Sequence, residues 1–140
     1  MAGFSNYMRQ QFLRWFRGTA VVAPPTVGGL WVSLHLVDDP GLTGASEVSP
    51  TGTGYGRENV ACSSAAWNQS GDVGLDELID NINAITFNTA TAAWGVVKGV
   101  GIWDAETGGN FLFGGSTTNV DVQPGMVYKF EPGELDLRLR

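Results

Sequence analysis

The sequence predicts a mainly β protein: an antiparallel β-sandwich of about seven or eight short strands, preceded by a short N-terminal α-helix. Three observations carry this. From Leu30 onward, apolar residues alternate with a period of two in several short runs, which places one set on a buried face. Turn signals built from Gly, Pro, Asn and Asp separate those runs at short spacing. Glycine makes up 20 of the 140 residues, about twice its usual share of roughly 7%. Jelly-roll and immunoglobulin-like wiring both fit this pattern.

The length suits one domain able to bury a core without disulfides or metal. With 43% hydrophobic and 16% charged residues, the composition excludes intrinsic disorder. The longest apolar stretch, Thr19 to Trp31, is broken by Pro24, Pro25, Gly28 and Gly29, so no membrane partner is expected. One cysteine, Cys62, excludes an internal disulfide framework and a Cys-rich zinc site. The net charge of −6 is uneven: residues 1–20 carry Arg9, Arg14 and Arg17 and no acid, while the rest holds 5 basic and 14 acidic groups. An acidic body argues against nucleic-acid binding. The low overall charge favours a surface that neighbours can cover, because less charge has to be desolvated.

Residues 5–17 read as one amphipathic helix. Ser5 can cap its first turn, and Gly18 can end it in the left-handed conformation. Met8, Phe12, Trp15 and Phe16 share one face at i, i+4, i+7 and i+8, with Gln10, Arg14 and Arg17 opposite. These aromatic and basic residues (Met8, Phe12, Trp15, Phe16, Arg14 and Arg17) are the candidate assembly surface. The arginines interrupt the apolar stretch and so argue against a secretory signal; a basic, acid-free start also resembles a transit peptide. Residues 19–29 form a linker, extended by Pro24-Pro25 and freed by Gly28-Gly29. The expected organisation is therefore an arm over residues 1–29 and a sandwich over 30–140.

The body then reads in order. Leu30, Val32, Leu34 and Leu36 alternate with Trp31, Ser33 and His35 as a half-buried strand. Asp38-Asp39-Pro40-Gly41 is a turn, and residues 41–58 a long loop ending in Gly54-Tyr55-Gly56-Arg57. Val60 to Cys62 is a short strand, Asn68 to Gly74 a turn region, and Leu75 to Ile79 a short helical turn with Asp72 near its start. Asn83 to Phe87 alternates again. Ala92 to Trp103 is a long strand whose Gly95, Gly99 and Gly101 imply bulges or close backbone approach. Asp104 to Asn110 is a hairpin turn, and Phe111 to Phe113 returns. Val120 and Val122 lead to the Gln123-Pro124-Gly125 turn, then Met126 to Phe130, the Pro132-Gly133 turn, and a last strand through Leu135, Leu137 and Leu139.

Chemistry-bearing residues are sparse. His35, the only histidine, sits mid-strand with no carboxylate placed to hold it as a base, so its expected role is structural. Cys62 reads as a small buried hydrophobe. Asp72, Asp76, Glu77 and Asp80 offer oxygens to a hard cation but lack the alternation of a calcium loop. Gly52-Thr53-Gly54-Tyr55-Gly56 lacks the strand-to-helix context of a nucleotide site, and Asn68-Gln69-Ser70 fits a glycosylation pattern that chance supplies often. No catalytic group, cofactor or metal is expected.

Four stretches together carry a resemblance: Trp31 to Leu36 running into Asp39-Pro40-Gly41; Gly44 to Ser49; Gly54-Tyr55-Gly56-Arg57; and Thr91 to Gly95 with Gly101-Ile102-Trp103-Asp104. Ile85-Thr86-Phe87 and the hairpin around Gly108 to Phe113 lie between and after them. In order and spacing the chain resembles a family of small tailed-bacteriophage structural proteins commonly labelled tail-fibre proteins. It departs from them at Val37-Asp38 and in a longer Ser49 to Thr53 segment. The resemblance implies a non-enzymatic virion component, and a compact domain without shaft repeats suits a capsid decoration or cement protein. Such a protein would assemble as a symmetric oligomer, expected as a homotrimer, with the major capsid protein as partner. The alternative is a tail-fibre or baseplate-associated adaptor with a tail component as partner. A further alternative is a carbohydrate-binding module using Trp67, Trp94 or Trp103. If the helix is the dock, removing residues 1–18 should abolish particle binding and leave the sandwich folded.

Overall fold

The computed structural model describes residues 3–21, 23–25, 27–72 and 76–139. Val22 and Thr26 of the expected linker, residues 73–75 of the expected turns, and the terminal Arg140 lie outside these.

The protein is mainly β and antiparallel, with one short helix, as the sequence predicts. The elements are β1 (Gly3–Phe4), α1 (Asn6–Phe16), β2 (Leu30–His35), β3 (Glu58–Val60), β4 (Trp67–Asp72), β5 (Asp76–Asn81), β6 (Ile85–Thr86), β7 (Gly95–Trp103), β8 (Phe111–Val122), β9 (Lys129–Phe130) and β10 (Asp136–Leu139). They form a five-stranded sheet in the order β1-β8-β7-β2-β3, a three-stranded sheet β10-β5-β4, and a two-stranded ribbon β6-β9. The arrangement is sandwich-like. One face of the large sheet, carrying Val32, Leu34, Val100 and Ile102, shares a core with Trp67, Ile79, Ile85, Phe130 and Leu137 from the smaller sheets. Aromatic residues from the connecting loops, Tyr55, Phe87 and Trp94, fill the centre of that core.

Helix α1 starts and stops where side-chain chemistry dictates. Ser5 Oγ accepts the amide hydrogen of Met8 at 3.2 Å, satisfying one of the orphan donors of the first turn. At the other end Gly18 takes φ +67°. This lets Gly18 N donate to Trp15 O and Thr19 N to Arg14 O, both at 3.0 Å, the paired closure of a left-handed helix stop. Arg14 stands in the last turn, where a cation suits the negative end of the helix.

Strand β2 departs from the half-buried expectation: both of its faces are buried from Val32 to His35. The reason is the segment after it. Residues 46–48 return alongside β2, with Leu36 N donating to Ser46 O at 2.9 Å and Val48 N to Leu34 O at 3.0 Å. The same loop covers the outer face, where His35 and Trp103 pack on the ring of Phe111. That packing explains a strand glycine. A Cβ on Gly101 would lie 2.6 Å from the Phe111 ring and 2.7 Å from both His35 Nε2 and Ser33 Oγ, so the stacked ring leaves room for hydrogen alone. The expected irregularity of β7 is also present, as register shifts between Val97 and Gly99 and between Ile102 and Trp103.

Other boundaries shift. The edge strand β1 was not foreseen, because two residues carry no period. The strand expected at Val60 to Cys62 lies at Glu58–Val60, which leaves Cys62 in a loop and half-exposed rather than buried. The expected turn at 68–74 is largely strand β4, and the expected helical turn at 75–79 is largely strand β5. Pairing overrides weak local preference there: Gln69 and Ser70 gain ladder partners in Ile79 and Leu78. The short return at Phe111 to Phe113 is instead a strand of 12 residues, long enough to hold β1 at one end and follow β7 along its length.

Candidate assembly surface

Helix α1 meets the body through its first half only. β1 pairs with β8, Ser5 N donates to Leu112 O at 2.9 Å, and the Phe4 ring packs edge-on against Phe113 with centroids 5.8 Å apart. Met8 is half-buried and Gln11 buried. The inward line therefore passes through Phe4, Met8 and Gln11, and the predicted apolar face is inward only at Met8. Phe12 turns partly out, its ring resting on Phe4 at 5.1 Å.

Among the described residues, little covers the helix beyond Phe12. Leu13 is 64% exposed, Trp15 63% and Phe16 78%. Trp15 and Phe16 pack edge to face at 5.1 Å, and Arg14 and Arg17 stand exposed beside them. Phe12, Trp15, Phe16, Arg14 and Arg17 are all exposed at this helix end, distributed around its circumference, and Met8 lies half-buried at its root. Leu13 is exposed at the same helix end beside Phe16, and the sequence does not single it out because it falls off the i, i+4, i+7 stripe. Since Phe4 and β1 are tied into the sheet, removing residues 1–18 also strips the core. Substitutions at Leu13, Trp15 and Phe16 isolate the surface more cleanly.

Next to Met8 the sandwich is open. A groove of about 280 Å³ lies between the two layers, lined by Leu30, Ile102, Leu112 and Phe113 from the large sheet and by Ile79 and Leu137 from the small one. Gln69 and Glu77 also line it. Both register with the inward-facing set, Gln69 directly opposite Ile79 and Glu77 two residues along β5, yet both are exposed.

A second constellation looks catalytic and is sealed. Ser33 Oγ lies 2.7 Å from His35 Nε2, and His35 Nδ1 lies 2.7 Å from the carbonyl of Ala45. A carbonyl only accepts, so Nδ1 carries the hydrogen and Nε2 accepts from the Ser33 hydroxyl. Ser33 Oγ in turn accepts Trp103 Nε1–H at 2.9 Å. Ser33 and His35 are each 0% exposed, and the ring is oriented by a carbonyl where a hydrolase uses a carboxylate. The three groups satisfy one another inside the fold.

Burial holds His35 below its ordinary pKa of 6.5. The folded chain therefore keeps it neutral while the unfolded chain takes up a proton. Stability should be flat in this group above pH 6.5 and fall on acidification below it, by up to about 1.4 kcal/mol per pH unit. Glu58, raised above 4.5 by burial, acts in the opposite direction at lower pH. Urea midpoints at pH 7.5 and 5.5 for wild type and His35→Asn isolate the histidine: the variant should lose the wild-type drop.

Beside this set, Arg57 holds Glu47 with Nε to Oε1 and Nη2 to Oε2, both at 2.8 Å. Its Nη1 donates to the carbonyls of Ala105 and Gly108 at 2.9 Å, and the guanidinium lies 3.9 Å above the Trp103 ring. Tyr55 donates its hydroxyl to Glu47 and accepts the amide of Leu34, each at 3.0 Å. Burial, then the charge of Glu47, pushes the Tyr55 hydroxyl up in pKa, which keeps the donor proton in place. Several of the stretches that carried the family resemblance supply this clamp: Leu34 from the first, Glu47 from Gly44 to Ser49, Tyr55 and Arg57 from the third, and Trp103 from the last. Trp67, Trp94 and Trp103 are all buried and donate their indole hydrogens to Ala61 O, Thr53 O and Ser33 Oγ, so none offers a ring to a sugar.

The chain is thus a small antiparallel β domain with a buried Ser33–His35 pair and an exposed helix end. Residues 3–138 match the family described as podophage GP4 fiber I protein gp80, and the chain belongs to that family. No curated protein matches it. The chain is a phage structural protein, and its family implies a virion component.

Proposed function

We propose that this chain is a structural part of a podophage fibre, or of the tail structure that carries it, and that it acts by assembly rather than by catalysis. The observation that carries this reading is the match of 3–138 to a fibre protein family. The exposed apolar and basic end of α1 supports assembly as the mode of action: three large apolar side chains, Leu13, Trp15 and Phe16, stand exposed on one short stretch of helix. Capsid cement, the role expected of a compact domain without shaft repeats, is not what the family description names. The family description favours the fibre.

Copy number in purified particles tests this. Quantitative mass spectrometry against the major shell protein should find on the order of tens of copies, as expected for a symmetric tail or fibre assembly. Particles grown with Phe16→Glu in place of the native chain should lose it. A count comparable to the shell protein would return the chain to the capsid as cement, and absence from particles would overturn the structural role.

A further inference from the structure

We propose that the uncovered end of α1 is received by a second copy of this chain, in the open groove between its two sheets. The inference rests on reading α1 as the assembly surface, but not on where in the particle the chain sits.

The groove has the composition of an acceptor for this helix. Its walls are apolar, yet two exposed polar side chains, Gln69 and Glu77, stand at inward-facing positions of the small sheet. A closed sandwich places apolar residues at such positions. An inward carboxylate at an open edge suits an occupant that brings both apolar bulk and positive charge. One face of the helix end supplies Leu13 and Phe16 together with Arg17, all exposed. The charge division runs the same way, with basic residues and no acid in 1–20 and an acidic remainder. At about 280 Å³, the groove falls just below the roughly 300–1,000 Å³ of small-molecule sites and suits inserted side chains.

The chain's own helix cannot fill it. Met8 already forms part of the groove wall, and α1 runs unbroken from there to Phe16, so Leu13 to Phe16 are carried past the opening. Donor and acceptor are thus different surfaces of one molecule meeting at Met8. Each copy gives a helix end and receives one, and the assembly closes as a pair or a ring.

Light scattering coupled to gel filtration tests this on the purified full chain over a concentration series. Wild type should be oligomeric. Leu13→Glu/Phe16→Glu disables the donor, and Gln69→Arg/Glu77→Arg disables the acceptor; all four side chains are exposed, and circular dichroism checks that each variant stays folded. Each variant alone should be monomeric, with association weakened at least about tenfold. An equimolar mixture should recover a complex, because one variant keeps the groove and the other keeps the helix end. A monomeric wild type, a variant that remains oligomeric, or a mixture that stays monomeric overturns the proposal. A monomeric wild type that is still counted in particles would overturn self-assembly and leave the structural role intact.

Discussion

Replacing Arg57 with alanine should lower the free energy of unfolding by about 3–5 kcal/mol. The side chain is 8% exposed and its Glu47 partner 23%, so the pair is largely withdrawn from water. Removing the guanidinium leaves a half-buried carboxylate with the Tyr55 hydroxyl as its remaining side-chain donor among the described contacts. It also takes the Nη1 donor from the Ala105 and Gly108 carbonyls and the cation from the Trp103 ring. The cost of the uncompensated charge dominates, since burial makes an unpaired ion far more expensive than the pair was worth. Arg57→Lys should recover little, because an ammonium cannot bridge both carboxylate oxygens and also stack on the indole. The double variant Arg57→Met/Glu47→Leu should lose less than Arg57→Ala, because it leaves no ion behind. Urea midpoints of the three variants decide this. A loss below about 1 kcal/mol in Arg57→Ala would place the clamp among ordinary surface ion pairs.

Phe87→Ala should cost a similar amount, about 3–5 kcal/mol, by a different mechanism. Phe87 is 2% exposed and lies where three elements meet. Its ring stacks on Tyr55 at 6.2 Å and meets Tyr128 at 6.0 Å and Phe130 at 6.4 Å edge-on. Tyr55 belongs to the clamp loop and Phe130 to β9, so truncation opens a cavity that rigid rings on several sides cannot collapse into. A fall in Tm on the order of 10 °C is expected, measured by calorimetry. Phe87→Leu, which keeps most of the volume, should lose clearly less. Equal losses would mean that the site depends on ring geometry rather than on filled space.

The parts of the fold legible in the sequence were those whose cause is local. Ser5 and Gly18 bound the helix because capping needs only a hydroxyl or a missing Cβ at the right place. The alternation through β2 and the glycine-bearing β7 were legible because a period of two survives whatever packs on it. Strands β4 and β5 were not legible. Gln69, Ser70 and Gly71 have little β preference of their own and are held by pairing with residues several positions along the chain. The candidate surface divides the same way. Aromatic and basic residues at helical spacing were visible at once, but which of them faced the body was not, because Gln11 is buried and Leu13 exposed against their ordinary tendencies.

The sequence by itself determined the β class, the capped helix, the uneven charge and, through its ordered motifs, the family. Those properties are written in composition, period and short-range stereochemistry. Only the tertiary structure decided that Ser33 and His35 are sealed by the loop that follows them, that Arg57 clamps Glu47 to a hairpin about 50 residues away, and that the sandwich opens beside an uncovered helix end. Each of these depends on segments distant along the chain meeting in space, where burial and pairing are set by the neighbour and no longer by the residue.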